Sequence, residues 1–343
     1  MESSALDIQL LDQVDEALAG EVRAFWADQG AQFTEEAARE RLAALVAVGR
    51  DRNGQVRAVA SAMEVRVPQL NNNLMYLYRN LVDSDWQQAG VYEALMSGFF
   101  HKANARRQES GNGPLGIYIQ VPAHMIPQGP MATVFMAQDV PFYLCAHNPS
   151  AGNARVAWFD NVRITSEHSG DVIARDRVLP DGFVMEYPRA NVEEPLRSEI
   201  LSFWEKEGAI PVQVAQSRVG QVYLLVRDPD GAICGLLTAL VKRAPLISQP
   251  VHYFRVFVAA ASREHDLAAT MVKELRDDLL ARHGRGEVTD SVGIFTEVEN
   301  EYVARYRNEA IWASTRFVFI GMNERNQQCR VIYFPGATLF DVA

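Results

Sequence analysis

Apolar positions along the second half of the chain fall into a clear succession of periods. From Glu194 to Glu207 (EPLRSEILSFWEKE) they recur three and four residues apart, which predicts a helix with one buried face and Pro195 in its first turn. From Gln221 to Val241 (QVYLLVRDPDGAICGLLTALV) two β-rich runs flank D-P-D-G, the signature of an antiparallel hairpin. Val251 to Ala259 (VHYFRVFVA) predicts a further strand, Ser262 to Gly284 a helix closed by glycine, and Gly293 to Val298 (GIFTEV) another strand. A short helix over NEYVARYRNEA and a closing strand pair, RFVFIGM and CRVIYF, complete the order strand, helix, hairpin, strand, helix, strand, helix, strand, strand. A mixed α/β sheet follows from that order.

The same succession is spelled in the first half. FWADQGA (Phe25 to Ala31) matches FWEKEGA (Phe203 to Ala209) at an offset of 203 − 25 = 178. MYLYRNLV (Met75 to Val82) matches HYFRVFV (His252 to Val258), with Arg79 against Arg255 at 176. GIYIQV (Gly116 to Val121) matches GIFTEV at 177, and RVAWF (Arg155 to Phe159) matches RVIYF (Arg330 to Phe334) at 175. LVAVGRDRNGQVRAVASAMEV carries R-N-G where the second half carries D-P-D-G. The chain therefore reads as an internal duplication with a period near 176, far longer than a solenoid repeat. The polar stretch between the copies gives a first domain over 1–165, a linker over 166–182 and a second domain over 183–343.

Composition sets outer bounds. A chain of 343 residues with 48% hydrophobic content has material for two packed cores. A formal charge of −10 argues against nucleic acid and anionic membrane surfaces as partners. Cys145, Cys234 and Cys329 lie far apart in or beside apolar runs, which predicts buried reduced thiols and no metal-ligand spacing. The opening MESSALDIQLLDQVDEALAG lacks a basic and then apolar leader, and no apolar run has membrane-spanning length, so a soluble cytoplasmic protein, monomer or homodimer, is expected.

The most chemical segment is the turn from the Arg79- or Arg255-bearing strand into the next helix, because a helix N-terminus offers unpaired N–H groups to an anion. It reads QQAGVY (Gln87, Gln88, Ala89, Gly90, Val91, Tyr92) in the first copy and REHDLA (Arg263, Glu264, His265, Asp266, Leu267, Ala268) in the second. These stretches, in this order of elements, resemble the GNAT superfamily of N-acyltransferases and its phosphate-cradling motif Gln/Arg-x-x-Gly-x-Gly/Ala. The resemblance spans nearly the whole chain as two tandem domains, each a mixed, mostly antiparallel twisted sheet flanked by helices. Gln87 and Gly90 match the motif, with Tyr92 in place of a small residue. Arg263 and Ala268 match it, with Asp266 in the glycine position.

What the resemblance implies is direct transfer of an acyl group from acetyl-CoA or another acyl-CoA to a small amine, aided by a base and an acid. The family's acid is a tyrosine on the helix after the fifth strand, which aligns Tyr306 of NEYVARYRNEAI with that role and Phe135 of ATVFMAQDV with the same position in the first copy. The first domain is then expected to be catalytically silent, a polarity that resembles the mycothiol synthase branch of the family. Glu297, at the end of GIFTEV, is the first candidate base, with Gln120 as its counterpart, and His252 is the second candidate. Val256, Phe257 and Val258 would run beside the pantetheine arm. Two other readings stay open: a non-catalytic acyl-CoA-binding or scaffold protein, and an acyltransferase fed by an acyl-carrier protein. As alternatives to chemistry, Glu297 would be a solvated strand-end carboxylate, His252 a buried strand residue, and Tyr306 a core aromatic.

Overall fold

The computed structural model describes residues 6–340 apart from 88–89, 123–131, 149, 151 and 166–178, with the side chains of Glu264 and His265 also outside the described set. The chain divides into two compact units. One comprises Met1–Pro130, Val134–Ser166 and Asn308–Ala310, and the other Met131–Thr133, Glu167–Arg307 and Ile311–Ala343.

The first unit contains β1 (Asp7–Leu10), α1 (Glu16–Asp28), α2 (Glu35–Ala43), β2 (Leu45–Arg50), β3 (Val56–Val67), β4 (Asn73–Val82), α3 (Val91–Ser110), β5 (Gly116–Pro122), β6 (Val134–Ala137), β7 (Val140–Asn148) and β8 (Gly152–Trp158). The second contains β9 (Val184–Glu186), α4 (Leu196–Lys206), α5 (Val212–Arg218), β10 (Val222–Arg227), β11 (Ile233–Ala244), β12 (Gln249–Val258), α6 (Leu267–Gly284), β13 (Gly293–Glu297), α7 (Glu301–Tyr306), β14 (Val318–Met322) and β15 (Gln328–Tyr333). Among the described residues the sheets run β1-β2-β3-β4-β5-β8-β7-β6 and β9-β10-β11-β12-β13-β15-β14, one topology written twice with β6 added to the first. Each is mixed and mostly antiparallel with flanking helices, the architecture expected from the sequence.

The repeated heptapeptide is the end of the first helix. Phe25 and Trp26 of α1, and Phe203 and Trp204 of α4, are buried. Each helix then ends in a left-handed glycine, Gly30 at φ 69° and Gly208 at φ 59°. The following alanine N–H closes back on the tryptophan carbonyl, at 2.9 Å for Ala31 and 3.0 Å for Ala209. An aromatic pair thus anchors the helix while glycine, which has no Cβ to clash at positive φ, turns the chain out of it. Pro195 stands at the N-cap of α4, just before the expected first turn.

Each sheet holds a single parallel pair among the described residues, and that pair is short. β4 meets β5 only at Tyr76↔Ile117 and Leu77↔Tyr118. β12 meets β13 only at His252↔Ile294 and Tyr253↔Phe295, although β12 continues to Val258 and β13 to Glu297. Beyond those pairs the two strands part. Alternation along β12 then divides its side chains between two cores. Phe254 and Val258 pack with Leu267, Met271 and Leu275 of α6, whereas Phe257 packs with Phe203 and Trp204 of α4.

The expectation for Phe135 fails. Val156 pairs with Tyr143 and Val331 with Val318, so 331 − 156 and 318 − 143 both give an offset of 175 across the closing hairpin. One pairing earlier, Val134 faces Tyr143 and Ile311 faces Val318, so 311 − 134 gives 177 and Phe135 corresponds to Trp312, not to Tyr306. Phe135 sits on β6, opposite Phe142 of β7, and not on a short helix. Silence of the first unit cannot rest on that residue.

Candidate functional site

Two segments of the second unit converge where β12 and β13 part. On the face shared with α4 and α5, Tyr253 donates its hydroxyl to Glu297 Oε2 at 2.7 Å across the parting strands. Arg255, two residues along the same face, reaches Glu299 Oε1 at 3.1 Å and Tyr253 Oη at 3.5 Å. From β11, Lys242 Nζ stands 3.5 Å from the centre of the Tyr253 ring. From the β14–β15 turn, Arg325 Nη2 lies 3.8 Å from Glu297 Oε2.

Glu297 is therefore a nearly enclosed carboxylate, its side chain 10% exposed. Burial alone would raise its pKa, but hydrogen bonds from Asn323 and Tyr253, with the charges of Lys242 and Arg325, outweigh that and hold it below the usual carboxylate range. Tyr253 shifts the other way, because burial and the neighbouring carboxylate both disfavour its phenolate. The bond between them is a phenol donating to a carboxylate that stays ionised at neutral pH.

His252 is placed elsewhere. One residue before Tyr253, it points to the opposite face, half-buried with its ring 6.2 Å from that of Phe334, and burial lowers its pKa. The structure does not bring it together with Glu297.

The turn that precedes α6 forms the second segment. Residues 260–265 make 3-10 turns, and Asp266 follows at φ 54°, in the left-handed region. Gly90 starts α3 the same way, at φ 112°, and 266 − 90 is 176. Left-handed backbone at this step is thus built into both copies, and aspartate is among the few non-glycine residues that tolerate it. Arg263 Nε donates to the carbonyl of Val258 at 3.3 Å, tying the turn to the strand end. Leu267 is buried and anchors the helix, while Ala268 is exposed. The backbone of residues 254–258 on the β13 side lies outside the β12–β13 ladder.

In the first unit the corresponding turn is occupied by its own helix. The Gly90 N–H donates to the Glu93 carboxylate at 3.1 Å, and Gln87 Nε2 donates to the Val82 carbonyl at 3.2 Å. Gln88 and Ala89 lie outside the described residues. Asn71 and Asn73 each donate a side-chain amide to the Ile164 carbonyl at 3.1 Å, which makes them ties within the unit. A surface cleft of about 460 Å³, with Glu64, Tyr76 and Arg106 in its wall, lies where β4 and β5 are still paired, away from their parting.

The strand registers settle which first-unit residues correspond to the cluster. Met75 pairs with Val65 and Val251 with Lys242, so Lys242 corresponds to Val65. Tyr253, at offset 176, corresponds to Leu77, and Glu297, opposite Cys329 as Gln120 is opposite Ala154, corresponds to Gln120. The first unit thus carries Val65, Leu77 and Gln120 where the second carries Lys242, Tyr253 and Glu297.

Tyr306 closes α7, half-buried, with its ring 4.5 Å from that of Tyr302. Asn300 caps this helix by accepting from the Val303 N–H at 3.2 Å. Just past Tyr306 the backbone is fixed twice through the Arg307 carbonyl, which accepts from Trp312 Nε1 at 2.7 Å and from Arg330 Nη2 at 3.2 Å. Cys145, Cys234 and Cys329 are buried, and burial pushes their thiols up to about 12, 11 and 12.

No family model matches the chain, and no curated protein does. Among solved structures it is similar to an acetyltransferase of the GNAT family from Listeria monocytogenes 4b F2365, at 15% identity over 44% of this chain and 95% of that one, with a TM-score of 0.28. A GCN5-related N-acetyltransferase from Sphaerobacter thermophilus aligns at 14% identity over 78% of this chain and 81% of that one, with a TM-score of 0.25. A GNAT superfamily phosphinothricin acetyltransferase from Sinorhizobium meliloti, in complex with AcCoA, aligns at 9% identity over 45% and 86%, with a TM-score of 0.29.

Proposed function

We propose that the second unit is an acyl-CoA-dependent N-acyltransferase, using acetyl-CoA or a related thioester and acting on a small amine by direct transfer. The observation that carries this reading is the parting of β12 from β13 between a left-handed helix-start turn and an enclosed, ionised Glu297. A pantetheine arm has two amides, and the unladdered edge of residues 254–258, including Val256, Phe257 and Val258, offers them backbone partners. The N–H groups at the start of α6, with Arg263 beside them, suit a pyrophosphate.

The thioester supplies an acyl group already activated toward attack. Glu297, through water, takes the proton that frees the amine lone pair. The amine nitrogen bonds to the acyl carbon, the carbon–sulfur bond breaks as the phenol of Tyr306 gives its proton to the departing sulfur, and the surplus proton on the new amide nitrogen passes through water to restore the phenol. The contrast of Val65, Leu77 and Gln120 with Lys242, Tyr253 and Glu297 supports chemistry in the second unit, and the Glu93 carboxylate on Gly90 supports a first unit that does not hold a pyrophosphate.

Calorimetric titration of acetyl-CoA and longer acyl-CoAs into wild type, Gly90→Trp and Ala268→Trp tests the reading. Binding is expected to vanish in Ala268→Trp alone. Loss confined to Gly90→Trp would assign the donor to the first unit, and no binding to wild type would leave the scaffold or acyl-carrier-protein readings.

Asp266→Gly provides a finer test. It keeps the left-handed turn and removes a carboxylate beside the anion, so acetyl-CoA is expected to bind roughly 3- to 10-fold more tightly, the gain narrowing as salt rises. Unchanged or weaker binding in the same titration would separate Asp266 from the donor.

A further inference from the structure

Four cations surround the parting strands on the face away from α6, in a chain whose formal charge is −10. Lys242 belongs to β11, Arg255 to β12, Arg325 to the β14–β15 turn, and Arg218 to the last turn of α5. Lys242 lies within the field of the other three, each of which repels it, and Arg218 feels both the repulsion of Arg255 and the attraction of Glu299. Against them stand two carboxylates, Glu297 and Glu299, so the cluster carries four positive and two negative charges. Arg255 Nε is buried with no hydrogen-bond partner among the described residues, although Nη2 is engaged. A guanidinium N–H held away from water without a partner is costly and donates readily to an oxyanion. Arg218 is partly desolvated, which strengthens its attraction to an anion, whereas Lys242 and Arg325 are exposed, open to an incoming ligand.

The first unit keeps Arg41 and Arg79 in the places of Arg218 and Arg255, but has Val65 in the place of Lys242. Polyamines and other purely cationic amines would meet repulsion here, since the two carboxylates are already engaged by Tyr253, Arg255 and Arg325.

We infer that the acceptor of the second unit is an amine bearing its own oxyanion, a carboxylate or a phosphate, which Arg218, Lys242, Arg255 and Arg325 recognise while its amine faces Glu297. This inference rests on the acyltransferase reading above. A single oxyanion meeting several fixed cations gains charge-assisted hydrogen bonds, whereas an ammonium gains none.

The test uses the full chain, saturating acetyl-CoA and release of free thiol as readout. Short primary amines are supplied in three matched forms: uncharged apart from the amine, carboxylated and phosphorylated. The anionic forms are expected to show kcat/KM higher by about 100-fold at low salt, and Arg218→Ala and Arg325→Ala each to cut that preference about tenfold through KM, leaving the acetyl-CoA KM unchanged. The carboxylated and phosphorylated arms decide which oxyanion is meant. Preference for the uncharged or a polycationic amine would overturn the inference while leaving the acyltransferase reading intact. A rise in acetyl-CoA KM in the variants would overturn it by assigning the cluster to the donor. Should no amine turn over although acetyl-CoA binds, the anionic amines are titrated into the CoA-bound protein, and absence of saturable binding counts against the inference. Failure of acetyl-CoA to bind at all would remove the acyltransferase reading itself.

Discussion

Gly293→Ala is expected to destabilise the second unit by about 3 kcal/mol or more, the upper range for forcing atoms into a filled site. A Cβ on Gly293 would lie 2.1 Å from the backbone oxygen of Ile332, and one on Gly116 would lie 2.2 Å from that of Ala157. No rotamer change relieves either clash, because the obstructing atom belongs to the neighbouring strand. The surrounding bonds are also the same in both copies. Val292 N–H reaches Pro250 O at 2.8 Å and Phe334 N–H reaches Val292 O at 2.9 Å, as Leu115 N–H reaches Leu74 O and Phe159 N–H reaches Leu115 O at the same distances. Alanine at either glycine must push β13 or β5 off its neighbour just before the parallel pairing of the sheet begins. Urea unfolding followed by tryptophan fluorescence checks this, with Gly284→Ala as control, since nothing stands within 4 Å of a Cβ there. A Gly293→Ala midpoint within error of wild type would show that the strands shift at little cost.

Those glycines explain why the duplication was legible. Gly116 and Gly293, Trp26 and Trp204, Gly30 and Gly208, and the buried Arg155 and Arg330 each sit where geometry leaves little alternative, so divergence spared them. The hairpins and the two long helices were legible for a simpler reason: their periods are sustained and their turns carry Asp, Asn, Pro and Gly. Short elements were not. VQVAQSR gave no period long enough to announce α5, which is only seven residues long. VFMA reads equally well as helix or strand, and the offset between copies drifts from 178 to 175 along the chain, so spacing alone does not find the counterpart of Phe135.

The site was half legible. Glu297 stands out as a carboxylate at a strand end with glutamine in the other copy. Arg255 was visible as a mark of the repeat, with nothing to say that it faces Glu299. Tyr253 and Lys242 were silent, because their meeting depends on Lys242 pairing with Val251 across β11 and β12, and register between strands is not written in either strand alone. His252 shows the converse. It is one residue from Tyr253 in sequence and on the other side of the sheet in space, the consequence of a period of two.

Glu297→Gln is expected to lower kcat by about 100- to 1,000-fold while leaving acetyl-CoA affinity unchanged, the range for loss of a positioned general base. Glutamine keeps the size of the side chain and can still accept from Tyr253, so packing is preserved and only the proton-accepting charge is lost. The pH dependence carries the distinguishing information. Because the folded protein holds Glu297 below the usual carboxylate range, the charged form persists through neutral pH and down into the acid region. Its contribution to stability is present above the unfolded-state pKa and is lost as pH falls through the lowered folded value, so the variant should lose less stability than wild type on acidification. Activity should follow the same sign, with an acid limb in wild type that Glu297→Gln abolishes. Tyr253→Phe separates a base from a structural carboxylate. Removing the phenol takes away a bond that favours the charged form, so the folded pKa rises and the acid limb of kcat moves to higher pH, while most of the rate at neutral pH survives. A Glu297→Gln enzyme that keeps wild-type kcat at neutral pH would show instead that Glu297 serves to hold Tyr253 and Arg325 in place, and the base would have to be sought among the acceptor's own groups or water.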